Sequence, residues 1–218
     1  MMSSANGQPE VLRTICFDLG GVILRICRSW EEGCKAAGIE VRGLADRDRT
    51  AAARREAIVA YQCGQIECTA FAHRIAELLD HLYSPQEIMA VHTAWVLGEY
   101  PGVAGLIEEV HAAGLHTACL SNTNHAHWVQ LHVSPAVMLL HTRLASHELG
   151  LHKPDPAIYR AAERRLNAQP SEIIFFDDLP ENVEAARECS WDAVQVDHAG
   201  DPAAQMRAAL IERGVLRA

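Results

Sequence analysis

Four groups of polar residues stand directly after apolar, strand-like runs. They are Asp18 after "TICF", Ser121 and Asn122 in "CLSNTN", Lys153 in "GLHKPD", and Asp177, Asp178 and Asn182 in "FFDDLPEN". Singly each has an ordinary explanation, because Asp, Ser and Asn are common turn residues and a lone Lys is usually solvated. Together they supply a carboxylate able to attack, a hydroxyl beside exposed backbone N–H groups, an ammonium and a second pair of carboxylates. That inventory suits transfer of a phosphoryl group, in which the protein mainly positions the reactants and neutralises charge on the phosphoryl oxygens. Carboxylates gathered at one place repel unless a cation lies between them. Mg2+, which takes oxygen ligands, keeps waters and binds phosphate, is the natural filler.

Residues so far apart converge only if one structural edge collects them, and the C-terminal edge of a parallel sheet does so. The chain supplies the strands, as apolar runs at 11–17, 115–121, 138–146, 171–178 and 192–197. Helical patterns at 103–113, 124–132, 156–167, 180–189 and 202–213 alternate with them. This alternation predicts βαβ units and an α/β fold, a Rossmann-like parallel-sheet core covered on both faces. Residues 29–98 break the rhythm with helical patterns alone, at 29–37, 44–61, 69–80 and 85–98. Gly38 and Gly64 punctuate them, and "SPQE" (84–87) carries a capping signal with proline at the first helical position. The expectation is a helical cap subdomain at 29–98, inserted after the first strand of a catalytic core formed by 11–28 and 99–218.

Bulk properties narrow the partners. In 218 residues, 49% are hydrophobic and 22% charged, the balance of a globular protein. Nineteen Lys and Arg against 28 Asp and Glu give a net charge of −9, which argues against nucleic acid or an anionic membrane as a partner. Seven cysteines, an odd number without a CxxC spacing, argue against a disulfide framework or structural zinc site and point to a reducing, cytoplasmic setting. The polar start "MMSSANGQPE" lacks the pattern of a signal peptide and reads as a frayed leader. There is no GxSxG, Walker A or GxGxxG motif, which counts against serine hydrolase, nucleotide kinase and dinucleotide-binding functions. Among the 12 histidines, most are expected to be solvated or capping, with His125 the one placed to touch a substrate. Trp30 suits either a pocket wall or core packing, and "ARREA" (53–57) reads as an exposed helical face.

The order of these pieces resembles the haloacid dehalogenase-like superfamily, most of whose members are phosphatases. "FDLGGV" is similar to its first motif, Asp-x-Asp-x-Val/Thr, with Gly20 in the second Asp's place. "TACLSN", "HKPDPAIY" and "FFDDLPENV" match the second, third and fourth motifs, and "YQCGQIECTAFAHRIAE" resembles the turn of the family's helical cap. The resemblance implies that Asp18 attacks phosphorus, Ser121 and Asn122 with nearby N–H groups hold the phosphate, and Lys153 balances the charge. It further implies Mg2+ on Asp18, the backbone carbonyl of Gly20 and Asp178. Asp177 would then be an auxiliary ligand and partner of Lys153, and Asn182 would orient Asp178 or a metal-bound water.

Glycine at position 20 keeps the carbonyl but loses a proton-carrying carboxyl, and such acid–base help is worth about 10²–10⁴-fold in rate. Substrates with acidic leaving groups suffer least. "FDLGGVI", "LSNTN" and "DDLPENV" also resemble the bacterial sub-group that includes an α-glucose-1-phosphate phosphatase. The expected activity is therefore Mg2+-dependent hydrolysis of a small phosphate ester, with a sugar phosphate favoured. The alternatives are a 2-haloacid dehalogenase, whose family counterparts use no metal and lack the acidic pair, and a non-catalytic phosphate-binding regulator.

Overall fold

The computed structural model describes residues 14–43 and 49–218. The expected leader, the first residues of the 11–17 run and the start of the 44–61 helix lie outside the described residues. In chain order the elements begin with β1 (Thr14–Phe17), β2 (Leu24–Ile26), α1 (Trp30–Ala37), α2 (Ala51–Gln62), α3 (Cys68–Leu78), α4 (Pro85–Thr93) and β3 (Val96–Glu99). They continue with α5 (Val103–Ala112), β4 (His116–Ser121), α6 (His125–Leu131), α7 (Pro135–Leu139), β5 (Thr142–Ala145) and α8 (Ser146–Leu149). The last are α9 (Pro156–Leu166), β6 (Ile173–Asp177), α10 (Pro180–Glu188), β7 (Asp192–Gln195) and α11 (Pro202–Glu212).

Five strands form one parallel sheet in the order β5-β4-β1-β6-β7. Alternation along β1 divides the core into two layers. Ile15 and Phe17 face Ile107, Val110 and Leu210 of α5 and α11, while Cys16 faces Ile158, Tyr159 and Ala186 of α9 and α10. Helices on both faces make this an α/β fold with a Rossmann-like core, and they explain why its strands read as continuous apolar runs. All seven cysteines are free thiols. Among the described residues no helix is long and apolar enough to cross a membrane.

Helices α1 to α4 pack around a separate apolar cluster that includes Cys34, Tyr61, Phe71, Ile75, Ile88 and Val91. Ser84 and Glu87 form the expected capping box at the start of α4. Two sequence boundaries need correction. The helix expected over 85–98 stops at Thr93, and Val96–Glu99 is a strand pairing antiparallel with β2, in register Leu24↔Glu99, Arg25↔Gly98 and Ile26↔Val96. Gly98, at φ 112°, leaves the helical region, and the ribbon gives these backbone groups cross-strand partners. Segment 29–98 is thus not purely helical. The strand expected over 138–146 begins only at Thr142, because Ser134 and Pro135 start α7. Glu99 accepts hydrogen bonds there from Ser134 Oγ at 2.5 Å and Ala136 N at 2.8 Å.

Candidate active site

β1 is the middle strand, so its C-terminal end lies between those of β4 and β6. Asp18 N donates to Phe176 O at 2.7 Å, extending the β1–β6 ladder by one residue and bringing Asp18 beside Asp177. Lys153 reaches in from the loop after α8 and joins the two, with Nζ 2.8 Å from Asp18 Oδ1 and 2.7 Å from Asp177 Oδ2. Lys153 is 1% exposed, Asp177 0% and Asp18 8%. Asp177 also accepts from Leu179 N at 2.9 Å and from Asn182 Nδ2 at 3.0 Å on each oxygen.

Burial raises the Asp18 carboxyl to about 7; Lys153 opposes the rise, while the like charges of Asp177 and Asp178 add to it. For Lys153, burial alone would favour the neutral amine, but Asp177 and Asp18 outweigh it and hold the ammonium above its ordinary value. Burial also raises Asp178, against the pull of Arg28.

Several expected roles change here. Asn122 accepts from Lys153 N at 2.8 Å and donates to Lys153 O at 2.9 Å, so its side-chain amide clamps the lysine's backbone, and only its backbone N–H is left for the phosphate role expected of it. Asn182 orients Asp177 and not Asp178. Asp178 is held by Arg28, whose Nη1 lies 2.7 Å from Oδ2. Arg28 escaped the sequence reading, and so did the need for the second glycine. At φ +89° Gly21 lies so close to Asp178 and Arg28 that a Cβ would collide with both. Ser121 ends β4, buried, at the floor of the cavity described below.

Asp18, Asp177 and Asp178 each present an oxygen within 4.8 Å of the others. Three carboxylates face two cations, Lys153 and Arg28. This donor set, all oxygen and with one formal negative charge in excess, fits Mg2+.

Beside this cluster a cavity of about 300 Å³ runs from Gly20, Ser121 and Asn122 into the helical layer, past Trp30, Tyr61, Phe71 and Trp95. His125 is exposed and outside the wall; His127, two residues on, lines it. Arg54 of "ARREA" also lines the cavity instead of lying on a solvated face. His127 stacks on His92 at 3.9 Å and donates from Nε2 to the His92 carbonyl at 2.6 Å. Burial, reinforced by His127, lowers His92 to about 3, so both rings are neutral near pH 7. Trp30 Nε1 and His92 Nε2 have no hydrogen-bond partner among the described residues.

Because His92 takes up its proton more readily unfolded than folded, it favours unfolding as pH falls from about 6.5 toward 3. His92→Phe is therefore expected to shrink the loss of melting temperature between pH 7.5 and 5. An unchanged loss in the two proteins would contradict the burial.

Fold and cluster together define the class as a hydrolase with a Rossmann-like α/β core. The chain belongs to the haloacid dehalogenase-like hydrolases, which it matches over residues 12–190. It is 29% identical over 137 residues to (S)-2-haloacid dehalogenase 4A of Burkholderia cepacia, covering 62% of this chain and 58% of that one. It is 31% identical over 103 residues to a phosphatase of Mycobacterium tuberculosis, covering 46% and 48%. The chain thus spans about half the length of these curated relatives. Among solved structures, a HAD family enzyme of Bacteroides thetaiotaomicron superposes with a TM-score of 0.75 at 21% identity, covering 91% of this chain and all of that one. The same enzyme in complex with magnesium and inorganic phosphate gives 0.69 at 20% identity over 87% and 96%.

Proposed function

We propose that this hydrolase is a Mg2+-dependent phosphatase acting on a small-molecule phosphate monoester in the cytoplasm, with residues 29–98 capping a core of 11–28 and 99–218. The observation that carries the reading is the buried Lys153 bridge between Asp18 and Asp177, with Asp178 completing a three-carboxylate cluster. Asp18 attacks phosphorus, the bond to the ester oxygen breaks, and water then hydrolyses the phospho-aspartate to phosphate and free Asp18. Lys153 opposes the burial that favours protonated Asp18 and offsets charge on the phosphate. Asn122 fixes the lysine, and Asn182 fixes Asp177. Mg2+ held by Asp18 and Asp178, with Asp177 auxiliary, would neutralise phosphoryl charge.

Gly20 favours a second reading, the 2-haloacid dehalogenase, because a halide leaves without a proton. A haloacid is itself an anion, however, and the three-carboxylate cluster favours the phosphate reading, where a divalent cation accompanies the substrate. Phosphate release from a panel of monoesters with Mg2+ or EDTA, run beside halide release from 2-chloropropionate, separates them. Phosphate release that EDTA abolishes is expected. Halide release insensitive to EDTA, without phosphate release, would overturn the phosphatase.

The missing carboxyl has its own test. A Cβ at Gly20 would stand 3.0 Å from Ile26 Cδ1, the movable end of a side chain. Gly20→Asp combined with Ile26→Val is expected to raise kcat on alkyl phosphates by about 10–100-fold, within the range of general acid–base help. p-Nitrophenyl phosphate should respond much less. Equal gains on both would refute the role assigned to the glycine.

A further inference from the structure

We propose that the ester is an aryl phosphate, the phosphate ester of a phenol. This deepens the phosphatase reading and rests on it. Two independent features point the same way.

The first is the cavity wall. Next to the Gly20–Ser121 floor stand Trp30, Tyr61, Phe71, Ile75, Ile88 and Trp95. Tyr61 and Phe71 stack at 4.3 Å and 16°, presenting ring surface. Among the described residues Arg54 is the one charged side chain in the wall, both histidines being neutral, and the polar Gln62, Thr123 and Asn124 line it nearer the floor. A volume of about 300 Å³ is at the small end for ligand sites and suits one or two fused rings. A sugar would bring several hydroxyls into a wall that is mainly apolar, where Trp30 Nε1 and His92 Nε2 could partner two of them and the rest would lose hydration against the rings. An aromatic ring needs no partner and gains from offset or edge contacts with its neighbours.

The second is the pair Gly20 and Ile26. Gly20 supplies no carboxyl, and the nearest group to where its Cβ would begin is the apolar Ile26 Cδ1 at 3.0 Å. A leaving oxygen therefore receives no proton from position 20. A phenol ionises near pH 10, whereas water ionises near 15.7 and unactivated alcohols resemble it, each figure being about that value. Asp18 forms its bond to phosphorus, the P–O(aryl) bond breaks, and its electron pair leaves on a phenolate that takes a proton from water. A second water hydrolyses the phospho-aspartate.

The test compares kcat/KM with Mg2+ for 1-naphthyl phosphate, phenyl phosphate, cyclohexyl phosphate and α-glucose 1-phosphate. The two aryl esters should exceed glucose 1-phosphate by about 10–100-fold, as burying one Phe-sized group implies. Cyclohexyl phosphate should inhibit competitively, with a Ki near the KM of phenyl phosphate, yet turn over slowly. Ile58→Asp, a change at the cavity's partly exposed rim, should raise KM for 1-naphthyl phosphate with an unchanged melting temperature. EDTA-sensitive turnover of glucose 1-phosphate equal to or above that of the aryl esters would overturn the aryl proposal while leaving the phosphatase intact. Phosphate release from none of the esters would overturn both.

Discussion

Asp18→Asn should lower phosphatase kcat by about four orders of magnitude or more, as expected for loss of a nucleophile, while the fold survives. Asparagine has nearly the same shape and keeps an oxygen for Lys153, so the loss is chemical. The substitution's effect on stability should depend on pH. The Asp18 carboxyl is raised to about 7, chiefly by burial, against an ordinary value of 3.8. A carboxyl raised in the folded state destabilises the protein as it ionises, a cost absent below about pH 3.8 and fully present above pH 7. Asp18→Asn also gives up the buried ion pair with Lys153, so the prediction is the pH dependence: in EDTA its melting temperature relative to the parent protein should be higher at pH 8 than at pH 5. Differential scanning fluorimetry at the two pH values, run beside phosphate release, checks both halves. Retained turnover would remove Asp18 from the mechanism, and a difference in melting temperature that does not change with pH would contradict the burial cost.

The second large effect is Lys153→Met. This side chain is fully enclosed and is the cation between Asp18 and Asp177, 2.8 and 2.7 Å away. Methionine fills a similar volume but leaves two carboxylates facing each other without it. Breaking a buried ion pair in this way costs about 3–5 kcal/mol. For a chain of this size that is a fall in melting temperature of about 6–20 °C, at about 2–4 °C per kcal/mol. Activity should vanish as well, but the informative measurement is the double variant. Adding Asp177→Asn removes one stranded charge and should recover part of the lost melting temperature, although Asp177→Asn alone is expected to destabilise. If the two losses simply add, the three groups are not one electrostatic unit.

The sheet was legible because its three inner strands are buried on both faces and read as largely apolar runs, each ending at a polar residue. That pattern located Asp18, Ser121 and Asp177, whereas Lys153 joins Asp18 and Asp177 from the loop after α8. Side-chain direction was not legible. Asn122 stands where a phosphate-binding group was expected, but its amide is committed to the Lys153 backbone. His125 and His127 occupy one helix start, and only the way α6 is seated turns the second into the cavity. The β2–β3 ribbon was hidden because three- and four-residue strands carry too little periodicity, and "VLGE" continues a helical pattern until Gly98. Arg28 was missed for a different reason. Nothing in "CRSW" marks it, and its partner Asp178 is set by tertiary placement alone. Sequence motifs thus located the groups after each strand, while the packed helical layer that shapes the cavity had to be seen.

The contact between Gly20 and the Ile26 side chain also constrains how such a site can change over generations. A lineage gaining a carboxylate at position 20 meets a crowded neighbour first, whereas trimming residue 26 alone leaves a hollow beside the floor with no catalytic return. Each single change therefore carries a packing cost that the double change avoids. Position 20 can thus take a side chain only together with a shift or shortening of residue 26, which makes the two positions one steric unit.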